Sequence, residues 1–319
     1  MKGLLKVLDY FVLTQKSRTK KNIEEAILRV IVFFDVFSFP LTSLEIWKYI
    51  DLDCDLKDVL DVLDSEKKWT SNGVFYFLSG REEIVSERLN RYNHSNRKLK
   101  KALRISRVFS FIPWIKMIAI GNIIGSDNLK DGSDIDFFII CEKNRVWLSR
   151  FISTSIVKVL GLRPKVNDVR DKFCLSFYIG EDAMDLKQFF LSNTEDLYFR
   201  YWFAGLKVIY EQGDIYDRFI EANQQIVESI PNWQKTRNSQ DMILAKKKLF
   251  YKDVLDLFFG GLENTFKKFQ LKILPNDLRE AMNKSTRVVI NDSVLKMHVF
   301  DRRKIFIDKY KKNLIKINK

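Results

Sequence analysis

The stretch "IAIGNIIGSDNLKDGSDIDFFII", Ile118–Ile140, sets three glycines and four aspartates between two apolar runs. Side chains alternate along a strand, so Asp134 and Asp136 share one face while Ile135 and Phe137 share the other. Two like charges so close repel each other, and a cation lying between them relieves the repulsion. A metal centre is therefore the first expectation. The alternative is a turn whose aspartates are simply solvated at a strand end, which leaves unexplained why the acid pair runs straight into Phe137-Phe138-Ile139-Ile140.

Working outward, the central part alternates elements. "WIKMIAI" reads as a strand, "GNIIGSD" as a turn and short helix, "DIDFFII" as a strand, "RVWLSRFISTSIVKVLG" as a helix and "KFCLSFYI" as a strand, with a further short strand or turn at "AMDLKQFF". A long basic helix over about 82–110 leads into this part. Upstream, "NIEEAILRVIVFFDVF" has helical spacing, Thr42 and Glu45 form a capping box, and "DLKDVLDVLDSEKK" is a third amphipathic helix. "WTSNGVFYFLSG" is a hairpin around Asn72-Gly73. Three helices and a wing make a winged-helix module over residues 1–95. Its third helix carries Asp55, Asp58, Asp61 and Asp64, which repel phosphates, so protein contact is expected of it in preference to DNA reading. Residues 192–319 read as a basic helical domain.

Composition narrows the function classes. The chain has 319 residues, 46% of them hydrophobic, enough for a sizeable core. No apolar run approaches the ~20 residues of a membrane span, and the first residues lack a signal-peptide core. Three scattered cysteines fit reduced thiols, so a cytoplasmic protein without membrane contact is expected. With two histidines, neither in a recognisable catalytic context, and no CxxC, nothing points to a zinc site or a Ser-His-Asp hydrolase. The net charge of +14 is uneven: residues 235–319 hold 21 Lys/Arg against 9 Asp/Glu, while residues 1–234 hold 34 against 32. A second basic stretch, residues 81–116, carries ten Lys/Arg against three Glu. Either a polyanion partner or a solvated lysine-rich face accounts for this. Lys246, Lys247, Lys248, Arg302 and Arg303 are the candidate nucleic-acid contacts.

A strand ending at Gly121, eleven residues after Asn122, and then Asp-Ile-Asp opening the next strand resembles the DNA polymerase beta-like nucleotidyltransferase superfamily. The order also looks like that of bacterial nucleotidyltransferase-domain proteins with an N-terminal winged helix. The resemblance covers residues 117–190. It implies an α+β fold with a polymerase beta-like nucleotidyltransferase core, a small mixed sheet with helices over 96–191, between the winged-helix module and the C-terminal helical domain. It further implies a template-independent enzyme that uses Mg2+ or Mn2+. Such an enzyme transfers a nucleoside monophosphate from an NTP or dNTP to a nucleic-acid end, an oligonucleotide or another hydroxyl acceptor, releasing pyrophosphate. It implies service in RNA processing or, as for several relatives in the superfamily, in a toxin or antiviral defence system.

Under that resemblance Asp134 and Asp136 are metal ligands and catalytic residues. Gly121 lets backbone approach a triphosphate, Asn122 offers its amide to a phosphate, and Ser133 contacts a phosphate or caps the turn. Arg145 and Arg150, opening the helix after the strand, are phosphate candidates, and Tyr198, Tyr201 and Trp202 are either base-stacking or core residues. Two features depart from the pattern. Asn122 stands where a small residue is usual, and "KFCLSFYI" lacks the third carboxylate: Cys174 and Ser176 occupy its likely face, with Phe173, Leu175 and Phe177 expected on the other. Asp185 is the best substitute, and Asp168 and Asp171 rank behind it. The missing acid keeps a second hypothesis open, a degenerate non-catalytic nucleotidyltransferase acting as a nucleic-acid-binding or regulatory scaffold.

Overall fold

The computed structural model describes residues 19–64, 68–122, 128–191, 196–235, 243–244 and 251–317. In chain order the elements are α1 (Lys20–Asp35), α2 (Ser43–Tyr49), α3 (Leu56–Leu63), β1 (Thr70–Ser71), β2 (Tyr76–Phe77), α4 (Glu83–Phe109), β3 (Ile115–Ile120), β4 (Ile135–Cys141), α5 (Val146–Val159) and β5 (Phe173–Gly180). A 3-10 turn at Leu186–Phe189 precedes α6 (Leu197–Gly205), β6 (Lys207–Glu211), α7 (Ile215–Glu221), α8 (Gln224–Glu228) and β7 (Ile243–Leu244). The remainder is α9 (Lys252–Phe259), α10 (Glu263–Lys272), α11 (Asn276–Ala281), β8 (Val288–Ile290), β9 (Val294–Met297) and α12 (Arg303–Ile317). No helix among the described residues is long and apolar enough to cross a membrane. The three cysteines are free thiols.

Two compact units result. The first comprises Met1–Leu89, Gln225–Lys235 and Phe306–Lys319; the second comprises Asn90–Gln224 and Thr236–Ile305. In the first, Thr19 caps α1, and the Thr42/Glu45 capping box starts α2 as its spacing predicts. Hairpin β1–β2 pairs antiparallel, and Gly73 takes a φ of +89° in its turn, a conformation that glycine adopts without steric cost. Arg88 is sandwiched between the Phe39 and Phe75 rings and makes two hydrogen bonds to Glu45, at 2.7 and 2.8 Å. Distant segments complete this core: Tyr310 packs edge-on to Phe33, and Asn232 donates to the carbonyls of Trp47 and Leu52.

The second unit is built on a mixed seven-stranded sheet of order β7-β6-β3-β4-β5-β9-β8. β4 and β5 are parallel, joined across α5, and β3 pairs antiparallel with both β4 and β6. β3, β4 and much of β5 are buried on both faces, which is why they read as nearly unbroken apolar runs. One face carries Ile118, Ile120, Ile135, Phe137, Ile139 and Tyr178 against Leu99, Ala102, Ile105 and Phe109, the buried stripe of α4, and against Trp147 of α5. On the opposite face the Phe138 ring meets Phe177, Trp202 and Phe219.

Two expectations change here. Residues 192–319 do not form a separate helical domain, because β6, β8 and β9 complete the sheet on both sides of β3-β4-β5. These strands are only three to five residues long and pair with distant partners, so no local periodicity marks them. Much of the basic stretch at 81–116 also turns to internal partners: Arg88 to Glu45, Arg91 to Asn128, Arg97 to Asp131 and Asp171, and Lys98 and Lys101 to Asp171.

Candidate metal centre

β4 starts at Ile135 with its odd-numbered side chains in the main core, which sends Asp136 to the other face as the alternation predicts. Asp134 lies immediately before the strand. At the end of β3 the Gly121 amide donates to the Asp136 carbonyl at 2.8 Å, and Asn122 Nδ2 donates to the Asp134 carbonyl at 2.9 Å. The register of the parallel pair sets Cys174 opposite Asp136. One ligand atom from each of Asp134, Asp136 and Cys174 therefore lies within 4.8 Å of the others.

The pair is held from beneath by a lysine. Lys98 of α4, whose side chain is fully buried, donates to the carbonyls of Asp131 (3.0 Å) and Ser133 (2.5 Å) and to the carboxylate of Asp171 (2.8 Å). Asp171 also accepts from Lys101 and Arg97. The loop delivering Asp134 is thus pinned to α4, and Asp171 balances the buried ammonium.

Electrostatics mark the pair as short of positive charge. Burial, and then the neighbouring Asp134, pushes the Asp136 carboxyl up to about 7. Burial also raises Asp134, against the opposing charge of Lys98. The Cys174 thiol is driven well above its ordinary value by burial and then by Asp136, and the Tyr198 hydroxyl is raised by the same two causes. A divalent cation would reverse these shifts by favouring the charged forms.

Beyond Cys174 a hydrogen-bonded chain leads away from the acids. The thiol lies 3.3 Å from Ser176 Oγ, which is 2.9 Å from His298 Nε2. Burial holds His298 down at about 3, so the ring is neutral. The Phe177 ring meets His298 edge-on, which puts Phe177 on this face and not with Phe173 and Leu175 as the alternation predicts. The cause is a register irregularity between β4 and β5, spanning Asp136 to Phe138 on one strand and Cys174 to Phe177 on the other.

The other expected site residues divide. Asp185 is not beside the pair: its exposed side chain caps the 3-10 turn, accepting from the Lys187 amide at 2.8 Å. Asp168 is exposed and paired with Lys172. Ser133 Oγ donates to the Lys130 carbonyl, the turn-capping alternative. A Cβ at Gly121 would just touch the Trp202 ring, at 3.4 Å. Tyr201 and Trp202 are core residues, and Trp202 stacks on Phe177. Arg145 is engaged with Asp256 and the Gly260 carbonyl. Arg150 donates to Gln270 and lines a cavity beside Cys174.

Among the candidate nucleic-acid contacts, Arg303 is 4% exposed. It is bound to Asp196, Asp301 and the Phe189 carbonyl, which removes it from that role. Arg302 is exposed, and Lys246, Lys247 and Lys248 lie outside the described residues.

Lys98 and His298 were missed as site residues. Lys98 sits among nine other basic side chains in the 81–116 stretch and carries no signal of its own, and His298 becomes notable only once β9 is paired with β5. No protein-family model matches this chain, and neither a curated protein nor a solved structure matches it.

Proposed function

We propose that this chain is a metal-dependent, template-independent nucleotidyltransferase that moves a nucleoside monophosphate from an NTP or dNTP to a hydroxyl acceptor, with a nucleic-acid end as the favoured one. The observation that carries it is the pair Asp134 and Asp136, on one face at the start of a central strand and beside the strand end at Gly121, with the nearby Lys98 ammonium already committed to Asp171. Two carboxylates fit a hard cation such as Mg2+ or Mn2+, which commonly takes its remaining ligands from substrate phosphates and water. When bound, such an ion neutralises charge developing on the phosphoryl group.

The protein's own residues supply placement. Lys98 fixes the loop before Asp134, and the Asn122 amide ties the end of β3 to it. The Oδ1 of Asn122 is buried without a partner among the described residues. Cys174 stands where a third carboxylate is expected. Its thiol is a soft donor that suits Mn2+ better than Mg2+ and adds no charge while protonated. The three helices and ribbon of the first unit fit a winged-helix module whose acidic α3 favours a protein partner over DNA.

The thiol also favours a second reading, a degenerate nucleotidyltransferase retained as a nucleic-acid-binding or regulatory scaffold. Incubation with each labelled NTP and dNTP, with Mg2+ or Mn2+ and with or without total RNA, separates the two. Label transferred by the wild type and not by Asp134→Ala supports the enzyme. No transfer under any condition, with RNA binding retained, supports the scaffold.

A further inference from the structure

β9 meets β5 at Phe177, Tyr178 and Ile179, so the first half of β5 has no strand neighbour on that side among the described residues. A cavity of about 210 Å³ opens along this free edge. Its wall includes Cys174 and Ser176 of β5, Arg150 and Thr154 of α5, and Arg163 from the following loop. The remaining wall is mainly apolar, with Phe173, Leu278 and Met297 among its residues.

The charge balance of this cavity is incomplete. Arg150 gives one guanidinium nitrogen to the neutral amide of Gln270 at 2.6 Å, and its Nε is buried with no partner. Burial lowers its pKa and the neighbouring charge of Arg163 adds to that, with Tyr178 opposing. Neither guanidinium has a carboxylate within ion-pair distance among the described residues. An arginine does not escape burial by losing its proton, so the buried Arg150 calls for an anion, and the exposed Arg163 on the same wall adds a second positive charge to attract one. The volume is below the roughly 300–1,000 Å³ of pockets that hold whole ligands, which selects a single small group. Planar guanidinium forks match tetrahedral oxyanions, and two of them suit a dianion better than a carboxylate.

We propose that this cavity is a phosphoryl-binding subsite in which Arg150 and Arg163 hold a phosphate dianion beside Cys174 and Ser176. The inference does not depend on nucleotidyl transfer. The phosphoryl group has two sources, free inorganic phosphate or the terminal phosphate of an oligonucleotide.

The test uses the full chain and inorganic phosphate at ionic strength held constant with chloride. Calorimetry is expected to show saturable binding, and phosphate is expected to raise the unfolding midpoint more than chloride does. Arg163 is exposed, so Arg163→Gln should leave the phosphate-free unfolding midpoint unchanged while weakening phosphate binding at least tenfold and abolishing the phosphate-dependent rise of the midpoint. Arg150→Gln should weaken binding at least as much. Displacement of phosphate by a 5′-phosphorylated oligonucleotide and not by its 5′-hydroxyl counterpart assigns the site to a nucleic-acid end. Displacement by neither assigns it to the free anion. Phosphate acting no differently from chloride, or Arg163→Gln binding phosphate like the wild type, overturns the proposal.

Discussion

Replacing Lys98 by methionine tests whether the acid pair depends on an internal cation. Methionine keeps most of the alkyl stem, so little volume is lost, while three hydrogen bonds disappear: to Asp171 at 2.8 Å, Asp131 O at 3.0 Å and Ser133 O at 2.5 Å. Removing one partner of a buried ion pair costs about 3–5 kcal/mol when the other charge is stranded. Asp171 is not stranded, since Lys101 and Arg97 still reach it, but two carbonyls lose their donor. The expected loss is therefore at the lower end, about 3 kcal/mol, or roughly 6–12 °C at about 2–4 °C per kcal/mol.

Asp171 adds a pH signature to the same perturbation. Burial alone would raise its pKa, yet hydrogen bonds from Lys101, Lys98 and Arg97 carry it well below the usual carboxylate range. A group depressed in the folded state stabilises above its unfolded pKa of about 3.9 and loses that contribution as pH falls further. Lys98→Met should thus flatten the acid limb of the stability curve below about pH 4. Thermal unfolding across a pH series reads both effects. A midpoint within a degree of the wild type at neutral pH would refute the buried tether.

Three further outcomes are expected. Without metal, Asp136 has a folded pKa raised to about 7, so its effect is absent below about pH 4 and destabilising as pH rises through 7; Asp136→Asn should remove that decline. The gain at pH 7.5 should be on the order of 2 kcal/mol after allowing for partial exposure, and an unchanged pH profile would count against the buried pair. Cys174→Asp should raise Mg2+ affinity about tenfold relative to Mn2+ in calorimetry, because a hard donor replaces a soft one; an unchanged ratio would remove Cys174 from the centre. Asp185→Asn should leave Mn2+ affinity at the wild-type value and cost less than about 1 kcal/mol, since asparagine also caps; a tenfold loss of affinity would restore Asp185 to the site.

The parts of this site visible in the sequence were those set by short-range rules. Alternation brings Asp134 and Asp136 to one face regardless of the rest of the fold, and the apolar runs of β3, β4 and β5 and the span of α4 are likewise local. What was hidden depends on pairing over distance. Lys98 finds Asp171 73 positions away, and Ser176 finds His298 122 positions away. In a helix rich in basic residues, nothing separates the lysine that is fully buried from those that reach water. Phe177 shows a different limit: the parity that placed the acids correctly fails four residues into β5, where one irregular step in register reverses the facing of the residues that follow.

The segmented make-up of the two units governs the order in which they can form during synthesis. Helices α1–α3 emerge before the sheet, but their core lacks Asn232, Phe306 and Tyr310 until those residues follow. The sheet likewise has an unfilled edge beside β5 until β9 arrives. A fragment that stops before Phe306 contains no finished first unit, so until those residues emerge the nascent chain carries exposed apolar surface and open strand edges, the condition in which aggregation competes with folding. Fragments cut at residue 95 or 191 inherit the same deficit, and C-terminal truncation damages the N-terminal core before it touches any acidic side chain of the metal centre.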